Sequence, residues 1–217
     1  MTITENLKKR VYTSLALLFL LYFILNFNFV LICCLLILGI ISILEFFNLL
    51  KIIFINKFYL LIGNTIFTIY VFLFCLVFFF FLNIIQLKII IISLLLGCIA
   101  SDIGGFIFGK IFKGVKLTKI SPNKTFSGAI GSVIFSCATI SYVVFLFTKN
   151  FDYKIIIIGI STSIFCQIGD LFFSLLKRKA KIKDTGNFLP GHGGVLDRLD
   201  GIYFGLPFGL LTLFLIY

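Results

Sequence analysis

Charge is scarce in this sequence. Lys, Arg, Asp and Glu make up 12% of its 217 residues, against roughly 25% in a soluble domain. Hydrophobic residues make up 61%, and mean hydropathy is +1.21. That balance excludes an ordinary soluble domain, and the length leaves no room for a separate one beside the apolar runs. Acids are scarcer than bases, eight against nineteen, for a formal net charge of +11. The basic residues sit in short connections between apolar runs and form no stripe of the kind that binds nucleic acid, so membrane orientation and anionic phosphate partners explain the excess. There is a single histidine. The six cysteines (Cys33, Cys34, Cys75, Cys98, Cys137, Cys166) form no CxxC pair and have no histidine at metal-ligand spacing; they read as small hydrophobes in helix packing. No Ser-His-Asp set, cysteine nucleophile, P-loop, internal repeat or low-complexity linker is present.

What is present is a series of apolar runs, each close to the ~20 residues that cross a hydrocarbon core. Seven spans are expected: Val11–Asn26, Phe29–Leu50, Phe58–Leu82, Lys88–Gly109, Phe126–Phe147, Lys154–Leu176 and Gly201–Tyr217. Phe58–Leu82 with Asn83–Leu87 admits an alternative as two short or re-entrant pieces. Met1–Arg10 and the run after it resemble the first half of a signal peptide, but no small-residue cleavage site follows, so the run is expected to remain as an anchor. An N-in, C-out topology leaves only Lys88, Lys149 and Lys154 of the nineteen basic residues outside. The fold class is therefore all-α, a polytopic membrane protein. Residues 1–87 form its N-terminal helices, and 88–217 form a catalytic region with cytoplasmic loops at 110–125 and 177–200.

This topology places Asp102 and Asp170 on separate helices at matching depth, roughly 10–12 Å below the cytoplasmic helix ends. Two such acids are expensive unless they face an aqueous cavity or share a cation. A funnel open to the cytoplasm is expected, with these two on its wall and the acids of the second loop at its mouth.

The chemistry concentrates between Gln167 and Asp200, where four of the eight acids lie: Asp170, Asp184, Asp197 and Asp200. Six basic residues (Lys177, Arg178, Lys179, Lys181, Lys183, Arg198) flank a tight Pro190-Gly191-His192-Gly193-Gly194 run in which backbone can approach a ligand closely. Each feature alone has a plainer reading. The lysines serve equally as a positive-inside anchor, and His192 as a hydrogen-bonding loop residue. Ser121–Gly128 (SPNKTFSG) is either a phosphate cradle at a helix N-terminus or a Ser-Pro turn with an N-cap. The glycines of Ser101-Asp102-Ile103-Gly104-Gly105 could simply let helices pack closely. In conjunction they suit a polyphosphate and a hard divalent cation such as Mg2+, for which Asp102, Asp170, Asp197 and Asp200 are candidate ligands and the lysines and Arg198 neutralise phosphate charge.

Ser174 to Asp200, SLLKRKAKIKDTGNFLPGHGGVLDRLD, resembles the signature of the phosphatidate cytidylyltransferases (CDP-diacylglycerol synthases) at Ser174, Lys177-Arg178, Lys183-Asp184, Gly186, Pro190, His192-Gly193-Gly194, Asp197-Arg198 and Asp200. Gly169-Asp170, Ser101-Asp102-Ile103-Gly104, Ser121-Pro122 and Lys124-Thr125 fit as well, and Glu45 matches an acid near the end of an early helix. The resemblance implies an all-helical, homodimeric enzyme of the inner (cytoplasmic) membrane that condenses CTP with phosphatidic acid. It implies a Mg2+ requirement, with a second cation such as K+ as an option. Position by position, it implies catalytic roles for Asp170, Asp197, Asp200, Lys177 and Arg178, and metal contacts for the three aspartates. It implies substrate contacts for Ser121, Lys124, Thr125, Lys183, Asp184, His192, Gly193, Gly194 and Arg198. The first loop departs from the family's usual Ser-Pro-Lys-Lys-Thr and Trp-Glu-Gly at Asn123, Phe126 and Ser127, and the chain is shorter than typical members, mainly before Lys88.

The expected reaction is a direct displacement in which a phosphate oxygen of phosphatidic acid attacks the α-phosphorus of CTP and pyrophosphate leaves. Two other enzyme readings stay open: a CTP-dependent kinase of a lipid alcohol, which releases CDP, and a cytidylyltransferase acting on an ether-lipid phosphate. A transporter is a reading of another class; it would place its polar groups near the bilayer midplane between repeats, whereas here they cluster in loops.

Overall fold

The computed structural model describes residues 27–118, 121, 124–186, 188 and 193–217, together with Phe19 and Phe23. Every regular element among the described residues is an α-helix. Among the described residues six helices are long and apolar enough to cross a membrane: α1 (Asn28–Ile53), α2 (Lys57–Asn83), α3 (Ile85–Phe112), α4 (Phe126–Thr148), α5 (Lys154–Lys179) and α6 (Leu196–Ile216). Only 17–39% of the most apolar stretch of each is buried inside protein, so most of the apolar surface faces outward. In water that would be untenable; in lipid it is what a spanning helix presents. The expected first span, Val11–Asn26, lies outside the described residues apart from Phe19 and Phe23.

α2 runs unbroken for 27 residues to Asn83, as the single expected span Phe58–Leu82 requires and two short pieces do not. Two boundaries differ from the sequence expectation in ways that matter. α5 continues to Lys179, so Lys177 and Arg178 stand in its last turn, where cations suit the negative end of the helix dipole. α6 begins at Leu196, and Asp197 stands in its first turn, where an acid suits the positive end. Lys177, Arg178, Asp197 and Asp200 are therefore helical residues; the loop expected over 177–200 is shorter at both ends.

The described chain forms two compact units. One holds α1, α2 and Leu176–Arg198; the other holds Ile84–Leu175 and Leu199–Tyr217. In the first, α1 and α2 pair through stacked Phe46 and Phe67, with ring centroids 3.9 Å apart, and Asn56 caps α2 by accepting the Phe58 N–H at 3.0 Å.

In the second, small residues let α3 and α4 approach so closely that a Cβ on Gly104 would lie 2.5 Å from the Gly131 carbonyl oxygen. The glycines after Asp102 thus serve helix packing. Buried hydroxyls staple the same region. Ser132 Oγ donates to the Ser101 carbonyl at 2.7 Å, and the Ser101 and Ser163 hydroxyls lie 2.9 Å apart. Gln167 Nε2 donates to Ser163 Oγ at 3.2 Å and to the Ala129 carbonyl at 3.3 Å. These bonds tie α3, α4 and α5 together in an apolar surround, where an unpaired polar group is costly.

Candidate active site

The stapled end of α3, α4 and α5 encloses a cavity of about 340 Å3. Its wall carries Asp102 from α3, Asp170 and Gln167 from α5, and Ser121, Lys124 and Thr125 from the connection leading into α4. The structure thus brings five of the sequence-predicted residues around one hollow, from positions as far apart in the chain as Asp102 and Asp170. Lys124 Nζ lies 3.0 Å from Asp170 Oδ2, with the side chains 30% and 20% exposed.

The connection is shaped by backbone pairing as well as by side chains. Lys116 and Thr125 form an antiparallel bridge, with Leu117 N–H donating to the Lys124 carbonyl at 2.8 Å and Phe126 N–H to the Val115 carbonyl at 3.0 Å. This pairing fixes the start of α4. Thr125 is its N-cap, accepting the Gly128 N–H at 3.1 Å, so the N-cap reading of that threonine holds while the residue also lines the cavity. Ser127 stands where the cytidylyltransferase pattern has a glutamate; here its hydroxyl donates to the Lys113 carbonyl and lies 3.0 Å from the Thr125 hydroxyl. It braces the connection instead of adding charge. Phe126 is exposed, and Asn123 lies outside the described residues.

On the α5–α6 side of this unit, a Cβ on Gly169 would lie 2.5 Å from the Asp200 carbonyl oxygen, and one on Gly201 would lie 2.8 Å from Asp170 Oδ1. The absent side chains let α6 pass against α5 at Asp170. Asp200 is half-buried and its Oδ1 accepts the Gly201 N–H at 3.0 Å.

The other unit contains Leu176–Arg198, the greater part of the signature segment. Asp197 Oδ1 accepts from Lys177 Nζ at 2.8 Å. Its Oδ2 accepts the N–H groups of Thr185 at 2.8 Å and Gly194 at 3.0 Å. Both oxygens of Asp197 are therefore engaged in holding the segment to the helix ends. Gly193 has φ +87°, a conformation side chains other than glycine rarely adopt, and a Cβ there would lie 3.1 Å from Asp197 Oδ2. Arg178, Lys183, Asp184 and Arg198 are exposed. His192 lies outside the described residues.

Glu45, on α1, is the residue that sequence reasoning left out of the candidate site. It is 7% exposed. Its Oε2 accepts from the Thr185 hydroxyl at 2.8 Å and the Leu196 N–H at 2.9 Å, and its Oε1 accepts the Val195 N–H at 3.1 Å. The available signal was a lone acid inside an otherwise apolar helix, which calls for a partner.

Among the described residues no three His, Cys, Asp or Glu side chains form a ready-made metal cage. Mg2+ does not need one: it usually keeps several waters and takes one or two carboxylates together with substrate phosphates. Two carboxylates, Asp102 and Asp170, on one cavity wall fit that demand.

A model described as the cytidylyltransferase family matches residues 5–216 of the chain. Among curated proteins, the phosphatidate cytidylyltransferase of Staphylococcus haemolyticus is 46% identical over 120 residues, covering 54% of this chain and 45% of the relative. The phosphatidate cytidylyltransferase of Helicobacter pylori is 42% identical over 115 residues, covering 53% and 43%. That of Rickettsia bellii is 41% identical over 114 residues, covering 49% of each chain. The chain spans about half the length of the curated relatives it matches.

Proposed function

Given that the chain belongs to the cytidylyltransferase family, we propose that it transfers the cytidylyl group of CTP to phosphatidic acid, giving CDP-diacylglycerol and pyrophosphate, as the names of its relatives suggest. The observation that carries this reading is the cavity in which two carboxylates, a lysine and two hydroxyl residues meet at one end of three membrane-spanning helices. Nucleotidyl transfer depends chiefly on positioning and on offsetting phosphate charge, and this set of groups supplies both.

The reaction is a displacement. A phosphate oxygen of phosphatidic acid forms the new bond to the α-phosphorus of CTP while the bond to the bridging oxygen breaks, and pyrophosphate departs with that electron pair. The attacking phosphate is already anionic at neutral pH, so no general base is required. Lys124 sets a positive charge beside the reacting phosphates, and the Ser121 and Thr125 hydroxyls orient their oxygens. Asp102 and Asp170 would hold Mg2+, which when bound offsets the charge developing on the phosphate oxygens. Lys177 and Asp197 fix the signature segment, and Arg178, Lys183 and Arg198 offer further cations to phosphate, alongside Asp184, Gly193 and Gly194.

The same reading puts the enzyme in the cytoplasmic membrane as a homodimer, N-terminus inside, with the cavity facing the cytoplasm. The basic connection between α3 and α4, with Lys113, Lys116, Lys119 and Lys124, supports that side by the positive-inside rule.

The test uses membranes containing the protein, phosphatidic acid, Mg2+ and CTP labelled on cytidine. Label entering the lipid phase with equal release of pyrophosphate is the expected result. Release of CDP with a newly phosphorylated lipid would mean kinase chemistry on the same scaffold.

A further inference from the structure

Two carboxylates, Glu45 and Asp197, both hold Thr185 and the Gly194–Leu196 stretch of the signature. Thr185 gives its hydroxyl to Glu45 and its N–H to Asp197. Gly194 gives its N–H to Asp197, while Val195 and Leu196 give theirs to Glu45. Val195, the residue before α6, has no side-chain acceptor and cannot cap the helix. The acceptor comes from α1, 150 residues earlier in the chain. A carboxylate also suits the positive end of the helix. The fit is tight: a Cβ on Gly194 would lie 2.4 Å from Glu45 Oε2, and one on Gly186 would lie 2.5 Å from Glu45 Oε1. Both signature glycines leave room for this one side chain.

The choice of glutamate follows from the donors. Three groups point hydrogens at Glu45, and two of them are backbone N–H groups that cannot accept. A glutamine of the same shape must turn its NH2 toward either Val195 or Leu196, donor against donor. Only the Thr185 hydroxyl could reverse.

We infer that Glu45 is a positioning residue for CTP, acting through Thr185 and the Gly194–Leu196 stretch, which it holds in place before the nucleotide arrives. The inference rests on the cytidylyltransferase reading, in which Gly193 and Gly194 meet the nucleotide. Binding groups held in place beforehand do not spend binding energy on ordering. When only a fraction of molecules is competent, apparent affinity weakens by that fraction. Glu45 thus sets the KM for CTP and leaves the chemical step largely alone.

The experiment compares wild type, Glu45→Gln and Thr185→Val as full chains in lipid nanodiscs, by hydrogen exchange and by steady-state kinetics. In Glu45→Gln, exchange of the Thr185, Gly194, Val195 and Leu196 amides should quicken at least about tenfold while α3 and α4 keep their protection. KM for CTP should rise about tenfold or more, with kcat within about twofold and KM for phosphatidic acid unchanged. Thr185→Val, which removes one donor and keeps its N–H on Asp197, should shift the same quantities less, and the double variant should be no worse than Glu45→Gln. Unchanged exchange would overturn the clasp. Quickened exchange with an unchanged KM for CTP, or a loss confined to kcat, would overturn the positioning role. If Glu45→Gln does not fold, Thr185→Val decides by the same split. A wild type that transfers no cytidylyl group sinks the functional reading instead, and the exchange data still judge the clasp.

Discussion

Lys177 in the last turn of α5 and Asp197 in the first turn of α6 form an ion pair of 2.8 Å, with side chains 13% and 8% exposed. The two residues are the charged ends of the segment between those helices. Removing one partner strands the other in a poorly solvated place, which costs about 3–5 kcal/mol for a buried pair.

Asp197→Asn should abolish turnover while still inserting into the membrane, and should lower Tm by roughly 6–20 °C. Lys177→Met should do similar harm. The double variant should be less destabilised than the sum of the two, with a coupling of about 1–3 kcal/mol. Thermal unfolding of the four proteins in one detergent measures this; strict additivity would mean the two charges do not depend on each other. Substantial residual activity in Asp197→Asn would remove it from the machinery.

Lys124 and Asp170 make the contrasting pair. At 30% and 20% exposure their ion pair is worth at most about 1 kcal/mol. Asp170→Asn and Lys124→Met should each move Tm by no more than about 4 °C while cutting turnover at least about a hundredfold, as loss of a charge-stabilising group does. Stability and activity measured on the same preparations check this. A drop in Tm that tracks the lost activity would make the pair structural.

Much of this architecture is legible in the sequence, for physical reasons that can be named. Apolar runs near bilayer length leave a backbone little choice but helix, so five of the described spans lie within a few residues of their expected bounds. Asp102 and Asp170, expected at matching depth, do share a cavity. The start of α6 was hidden. Asp197, Arg198 and Asp200 read as loop because they are charged, yet the helix begins at Leu196 because Glu45, 151 residues away, accepts its first N–H groups. Local composition cannot report a cap supplied from another helix. For the same reason Glu45 could be noted as an acid of matching position but not given a role.

Glycine substitutions should separate backbone crowding from ordinary contact. A Cβ on Gly104 would meet the Gly131 carbonyl oxygen at 2.5 Å, and backbone cannot step aside as a side-chain end can. Gly104→Ala should cost about 1–3 kcal/mol by overpacking. At Gly39 the nearest atom would be 3.4 Å away, on the Val71 side chain, and Gly39→Ala in the middle of α1 should be neutral or gain up to about 1 kcal/mol through helix propensity. Equal effects at the two sites in a thermal or denaturant series would contradict the close α3–α4 approach.

Chelation tests the cavity's carboxylates most directly. If Asp102 and Asp170 hold Mg2+ between them and the substrate phosphates, EDTA should stop turnover and Mg2+ should restore it. Asp102→Asn leaves one of two charges facing a divalent ion, so the Mg2+ concentration for half-maximal rate should rise about tenfold or more, in line with losing about 1.4 kcal/mol of attraction. Saturating Mg2+ should recover part of the rate, because a hard cation can replace a lost carboxylate by water. Asp184→Asn, an exposed acid of the other unit, should leave that concentration where it is. A Mg2+ dependence that moves with Asp184 and not with Asp102 would take the metal away from this cavity.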